Sequence, residues 1–396
     1  MAQLPDGEGA PADGRLPVSA LAGAAERPFG VYVHVPFCAA RCGYCDFNTY
    51  VAPEAERARW RAAAVAEVEL AARVLGPRPA ATVFFGGGTP TLLPPADLLA
   101  VLDAIGGRLG LAPGAEVTVE ANPETVTPER LAALRAGGVT RVSLGMQSAA
   151  PHVLAVLERL HTPGRAVEAA REARAAGFDH VSLDLILGAP GETDGDAGAS
   201  LAAALSAGPD HVSVYGLILA PGTRLSARVR RGELPPPDDD AVADRYEAAD
   251  AALAAHGLRW YELANWAAGE DARCRHNLGY WRGGDWWGVG PGAHSHVGGV
   301  RWWNVLRPRA WREALAARRS PAAGRERLGA AARRMEAVML GVRLAEGLEL
   351  RDSERASAGD LAGRGLLDPG ALAGGRAVLT LRGRLLADRV VRELAA

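Results

Sequence analysis

Phe29-Gly-Val-Tyr-Val-His-Val-Pro-Phe-Cys38-Ala-Ala-Arg-Cys42-Gly-Tyr-Cys45 is the stretch on which the reading of this chain turns. From Phe29 to Val35 apolar and polar residues alternate, the pattern of a strand. The three cysteines follow at once, with C-x3-C-x2-C spacing, where a βα loop would begin. Sulfurs this close converge on one small object, and soft thiolates suit zinc or iron–sulfur. A structural zinc ion normally takes four protein ligands as two separated pairs. Only three cysteines are local here, and the fourth, Cys274, is remote. A 4Fe-4S cubane held by three cysteines leaves one iron open, and an open iron can bind a ligand that does chemistry.

Outward from this loop the chain repeats a strand, a turn and an amphipathic helix. Further strands are expected at Thr82–Phe85, Glu116–Glu120, Val139–Leu144, His180–Leu187 and His211–Leu217. Helices are expected at 54–75 and near 95–109, 127–136, 164–176 and 197–207, with Thr127 as one cap. Six strands each followed by a helix imply an α/β fold with a parallel sheet and right-handed crossovers. Six units fall short of the usual eight of a closed barrel.

Composition divides the chain. Residues 1–27, rich in Pro, Gly and Ala, read as a disordered N-terminal tail, and 28–233 hold the strand–helix units. The run Pro235-Pro236-Pro237-Asp238-Asp239-Asp240 marks a boundary and precedes a helix over about 241–256. The extension 234–325 carries eight of the nine tryptophans, and 326–396 form a helical C-terminal domain. In that domain Glu326–Leu344 reads as helix, Ala377–Leu381 as a strand or wing, and Arg382–Leu394 as a last helix.

Global properties exclude several classes. With 396 residues, 48% hydrophobic and 23% charged, the chain is an ordinary globular one with room for two or three packed domains. Lys+Arg 44 against Asp+Glu 46 gives −2, so no global positive charge supports nucleic-acid binding. No apolar run has membrane-spanning length, and no basic start precedes an apolar segment, so a cytoplasmic protein is expected. At most a transient association with a membrane surface is compatible with this. Four cysteines, three of them clustered, do not make a secreted disulfide framework.

A second motif, Phe85-Gly86-Gly87-Gly88-Thr89-Pro90-Thr91, follows the second strand, and consecutive glycines let backbone approach a ligand closely. Alone it also fits phosphate binding or mere tightness of the turn. Together, Tyr32-Val-His-Val-Pro-Phe-Cys38…Cys42…Cys45 and the glycine turn resemble the radical S-adenosylmethionine (SAM) superfamily. The branch most resembled contains oxygen-independent coproporphyrinogen III oxidases and HemW-type haem chaperones. The resemblance implies a partial (β/α)6 barrel with a C-terminal α/β extension and a small winged-helix-like tail domain. It also implies a 4Fe-4S cluster on Cys38, Cys42 and Cys45, with SAM on the open iron. SAM contacts carry over to Tyr32, Tyr44, Gly87, Gly88, Thr89, Glu120, Gln147, Arg159 and Asp184. These residue types suit such contacts, because carboxylates accept from ammonium and ribose hydroxyls, and an arginine fork matches a carboxylate.

Two features separate the branches. The oxidases resembled carry a further cysteine two positions after the third, where this chain has Phe47, the HemW-type choice. Nor does the N-terminus resemble the ordered extension with which the oxidases complete their substrate site. His276-Asn277-Leu278-Gly279-Tyr280-Trp281 resembles the H-N-x-x-Y-W signature of the chaperones, ahead of an aromatic and glycine-rich run to Ser295. A histidine nitrogen is a common axial ligand of haem iron. The expected haem ligand is His276, with His294 and His296 next and His34 after them. The expected function is haem binding and delivery to acceptor proteins, respiratory haemoproteins among them. The alternatives are oxidative decarboxylation of coproporphyrinogen III through a 5′-deoxyadenosyl radical, and a structural zinc-binding interaction protein. Cys274 is not expected to be a fourth cluster ligand; a small buried residue, a covalent haem contact and a redox-sensitive thiol remain open for it.

Overall fold

The computed structural model describes residues 4–395. Its frame is a sheet built on six strands: β1 (Phe29–Val35), β2 (Ala80–Gly87), β3 (Leu111–Ala121), β4 (Arg141–Gln147), β5 (His180–Leu187) and β6 (His211–Gly216). Each pairs in parallel with the next. Helices cover the outside, so residues such as Val33, Phe85, Val142 and Leu183 are sealed from solvent, as a parallel sheet requires. The connecting helices include Trp60–Leu75, Pro95–Arg108, Pro128–Ala136, Arg165–Ala175 and Asp194–Ser206. Thr127 caps the third of these by accepting the Arg130 amide.

The arc does not close into a barrel. Beyond β6 the chain turns back through β7 (Arg259–Glu262) and β8 (Asn265–Ala267), with β8 antiparallel to β6. Beyond β1 the sheet continues through β9 (Asp285–Val289), β10 (His294–Val297), β11 (Val300–Asn304) and β12 (Ala322–Arg327). β9 is parallel to β1, and the remainder are antiparallel. The tryptophan-rich segment is therefore mostly sheet, which its composition did not announce. Helix Trp60–Leu75 is locked to it through buried Glu67, whose carboxylate accepts from the Gly290 amide (2.8 Å), Asn304 Nδ2 (2.7 Å) and Trp311 Nε1 (2.7 Å).

Three expectations need correction. The expected disordered tail is ordered over its described part, 4–27, its first three residues lying outside the described chain. Glu8 and Arg325 exchange two backbone hydrogen bonds of 2.9 Å, Ala20 is buried, and Arg27 pairs with Asp285 at 2.8 Å. A segment without periodicity still has backbone donors, and the open edge of β12 accepts them. Second, Glu326–Leu344 is not one helix, since residues to Arg327 belong to β12 and the helix is Ala330–Gly341. Third, the expected strand Ala377–Leu381 is reduced to β14 (Arg376–Ala377), which pairs with β13 (Leu348–Glu349). Around these two strands, Val338, Leu361, Leu367 and Val390 anchor a separate small core. Among the described residues no helix is long and apolar enough to cross a membrane.

Candidate metal centre and cofactor site

Backbone hydrogen bonds hold the cysteine loop at its base and its middle, and the Arg224 side chain adds a bond to the Arg41 carbonyl. Cys38 N donates to Tyr50 O (3.1 Å) and Tyr50 N to Pro36 O (2.7 Å). Gly43 N donates to Leu157 O (3.1 Å), and Gly43 O accepts from Leu225 N (2.8 Å). Cys38, Cys42 and Cys45 are unpaired and partly exposed. The Thr89 hydroxyl lies 3.8 Å from Cys38 Sγ, and Arg159 Nη1 lies 3.7 Å from Cys42 Sγ. Burial pushes the Cys38 and Cys45 thiols up, while the Thr89 hydroxyl and the Phe47 amide pull the other way. The loop thus holds thiols that ionise on binding positive metal. Among the described residues no three Cys, His, Asp or Glu side chains gather around one ion. A cubane gives each cysteine its own iron, so this donor set fits a cluster better than a single zinc.

The glycine turn wraps the start of that loop. Gly88 N donates to Val35 O (2.8 Å) and Thr89 N to Phe37 O (2.7 Å). A methyl on Gly88 would sit 2.5 Å from the Phe37 carbonyl oxygen, and one on Gly87 would strike the His34 ring. Gly87 itself has φ +106°, and its amide donates to Glu120 Oε2 at 3.0 Å. Burial, then the nearby Asp184, pushes Glu120 up to about 7 against that amide. Asp184 is likewise raised by burial, with the Ser213 and Ser143 hydroxyls opposing; Ser143 lies 3.1 Å from both its oxygens.

Across the same mouth, β4 bulges where Gln147 takes the left-handed φ of +67°. Such a backbone is strained for a residue with a Cβ. Arg159 Nη2 donates to Gly145 O at 2.8 Å, and Arg159 Nε is buried without a partner. Tyr44 packs against the buried cluster that contains Val153, Leu157 and Leu225, and burial with Cys42 beside it raises its phenol. The cysteines and the residues expected to contact SAM thus surround the C-terminal ends of the first five strands. Sequence reasoning missed two supports: Asn48, which carried no signal, and Glu67, an acid on the buried face of its helix.

Tyr32 completes this mouth through His34. His34 Nε2 lies 3.0 Å from the Asn48 carbonyl and must carry the proton, so Nδ1 accepts the Tyr32 hydroxyl at 3.0 Å.

His276, the expected haem ligand, is a buried residue in the floor of the barrel. Helix Arg275–Trp281 enters the barrel from the N-terminal ends of the strands, and Glu116 of β3 accepts the Arg275 and His276 amides at 3.1 and 3.0 Å. His276 is buried; its Nδ1 meets Thr82 Oγ1 and its Nε2 the Tyr280 hydroxyl, both at 2.8 Å. Its ring stacks on Phe84 at 5.0 Å, and burial pushes its pKa down to about 3. Buried Glu262 is pushed up to about 8, with Asn265, Trp281 and Asn277 opposing. The signature from His276 to Trp281 thus acts as a plug in the barrel floor, with both nitrogens of His276 committed. Cys274, also buried, donates to Glu116 at 3.7 Å, at the opposite end of the barrel from the other three cysteines.

Beside the mouth lies a cavity of about 630 Å³. Tyr32, Gly87 and Glu120 border it from the barrel, Phe47 from the cysteine loop, Trp286 and His294 from the added strands, and Met339 from helix Ala330–Gly341. Leu4 also reaches it, so the N-terminal segment does contribute to the site, against expectation.

A partial parallel barrel with a three-cysteine loop after its first strand defines the radical SAM class, and the Radical SAM superfamily model matches residues 32–204. Coproporphyrinogen III oxidase (HemN) from Escherichia coli shares the fold, with a TM-score of 0.82 at 22% identity over 97% of this chain and 94% of that one. Heme chaperone HemW of Mycobacterium tuberculosis is 55% identical over 378 residues, 93% of this chain and 95% of the relative. Heme chaperone HemW of Escherichia coli (strain K12) is 37% identical over 273 residues, covering 68% and 70%. The chain belongs to the HemW family of radical SAM proteins. Membership of the superfamily implies a 4Fe-4S cluster and SAM, and the donor set described above fits both.

Proposed function

We propose that this protein is a haem chaperone: it carries haem beside a SAM-bound 4Fe-4S cluster and delivers it to acceptor proteins in the cytoplasm, haemoproteins of respiration among them. The observation that carries the reading is the cavity flanking the cysteine loop, with the cofactor mouth on one side and aromatic and apolar side chains on the other. A planar apolar macrocycle asks for such walls. The length and the family-wide identity of the match to heme chaperones support it further.

Cys38, Cys42 and Cys45 hold the cluster, and Tyr32, Tyr44, Gly87, Gly88, Thr89, Glu120, Gln147, Arg159 and Asp184 hold SAM. When bound, the cluster offers SAM an open iron and an electron. Arg159, with a buried and unpartnered Nε, suits a carboxylate, and Glu120 and Asp184 accept from ammonium and hydroxyl groups. His276 acts through the floor of the barrel, where it pins Tyr280. Anaerobic reconstitution, haem titration and transfer to an apo-acceptor test the reading. Near-equal haem stoichiometry with transfer is expected; turnover of coproporphyrinogen III to its decarboxylated product would replace it with the oxidase reading.

A further inference from the structure

We propose that His294 is the axial ligand of the haem iron and that the macrocycle sits in the cavity bordered by the cysteine loop, β10 and helix Ala330–Gly341. The assignment rests on the haem-chaperone reading and narrows it to one imidazole. Four histidines border this cavity or its floor, and three have both ring nitrogens occupied. His34 bonds Tyr32 and Asn48, His276 bonds Thr82 and Tyr280, and His296 donates from Nδ1 to Gly284 O (2.8 Å) while Nε2 accepts the Gly299 amide (3.1 Å). Each would have to break an existing bond before meeting iron. His294 is exposed at the cavity wall, and among the described residues its ring has no hydrogen-bond partner. Although the residue opens to the cavity, partial burial of its ring, then neighbouring Arg301, pushes its pKa below the ordinary value against Glu326, which favours the neutral, ligating imidazole.

The backbone that presents His294 is fixed beforehand. Gly290 (φ +115°) and Gly292 (φ +76°) shape the turn, and Glu67 holds the Gly290 amide from beneath. Asn48 Nδ2 donates to Pro291 O at 3.0 Å, so this turn and the cysteine loop are stapled together. A ligand held this way loses little freedom on binding. The walls beside it are apolar and open: Phe47 is 59% exposed and Met339 40%. Large apolar side chains left in the open at a cavity point to an occupant.

The test uses the full, cluster-loaded chain and ferric haem, followed by difference absorbance and electron paramagnetic resonance. Wild type is expected to give an imidazole-ligated spectrum. His294→Ala is expected to lose that spectrum and bind haem about tenfold more weakly or worse, with added imidazole restoring the spectrum. His294→Met is expected to change the ligand field rather than abolish it, and His296→Gln to leave it alone. Iron content equal to wild type reports that each variant is folded. Wild-type haem binding with an unaltered spectrum and affinity in His294→Ala overturns this assignment alone. Failure of the wild-type chain to bind haem overturns the chaperone reading and the assignment with it.

Discussion

Arg159 reaches from Cys42 Sγ to the Gly145 carbonyl, and a side chain at 145 would meet its Nη2 at 2.5 Å. Removing it spares every sulfur, so Arg159→Ala should load a normal amount of iron while its affinity for SAM falls about tenfold or more, the value of a charge-assisted hydrogen bond. Iron analysis, with the SAM-induced change in the reduced cluster's resonance, checks both halves. His211 exemplifies a different residue-scale effect. Its nitrogens meet Ser182 Oγ (2.7 Å) and Tyr261 Oη (2.8 Å), and burial, then Arg141, pushes its pKa down to about 3. The unfolded chain, with a histidine near its ordinary value, binds more protons between these two pKa values. The stability His211 contributes is therefore complete above about pH 6.5 and drains away as pH falls, by at most about 1.4 kcal/mol per pH unit. Glu67 and Glu120, each pushed up to about 7, act with the opposite sign and weaken the fold as pH rises through that value. Urea unfolding of wild type and His211→Gln across pH 7.5 to about 4.5 isolates the histidine. Their stability difference should shrink toward acid, and a constant difference would refute the assignment.

The glycine turn and the cysteine loop behave as one element, because the amides of Gly88 and Thr89 are spent on Val35 and Phe37. Gly88→Ala forces a methyl against the Phe37 carbonyl, which is backbone and cannot swing aside. A loss of about 1–3 kcal/mol in urea unfolding is expected, as for an overpacked core site, together with faster iron release; unchanged values of both would show the turn and the loop to be independent. Legibility in the sequence follows the same division. The six parallel strands were readable because each is a short apolar run before a turn, and the cysteine loop because three sulfurs in eight residues have few other uses. β9 to β12 were not, since Asp285–Val289 and Val300–Asn304 look like aromatic loops until their pairing supplies the order. His276 was legible as part of a motif, but not its role: Thr82 and Tyr280, which consume its nitrogens, are 194 and 4 residues away. Burial is a property of the packed chain, and nothing in H-N-x-x-Y-W distinguishes a ligand from a plug.

At the scale of the whole molecule the N-terminal segment ties distant parts together. It covers the outer edge of the twelve-stranded sheet at Arg325, meets Ser320 through the Ala12 carbonyl (2.7 Å), and brings Arg27 to Asp285. Asp285 starts β9, the strand that joins the aromatic extension to β1, and it is buried between Arg27 (2.8 Å) and Arg78 (2.7 Å). A chain shortened to begin at residue 28 would strip one cation from that carboxylate, expose the face that Ala20 covers, and free the β12 edge. Because Arg78 remains and Arg27 is a third exposed, the ion-pair loss is only part of that for a fully buried pair, and a total of about 2–4 kcal/mol is expected. The bare edge carries a second consequence, since unpaired strand edges template association. The shortened chain should unfold at lower urea and show concentration-dependent self-association in sedimentation, both relieved by adding back residues 4–27. A truncated chain as stable and as monodisperse as the full one would mean that the contacts at Arg325, Ser320 and Asp285 are incidental, and that the aromatic extension is held to the barrel by β1–β9 pairing and Glu67 alone.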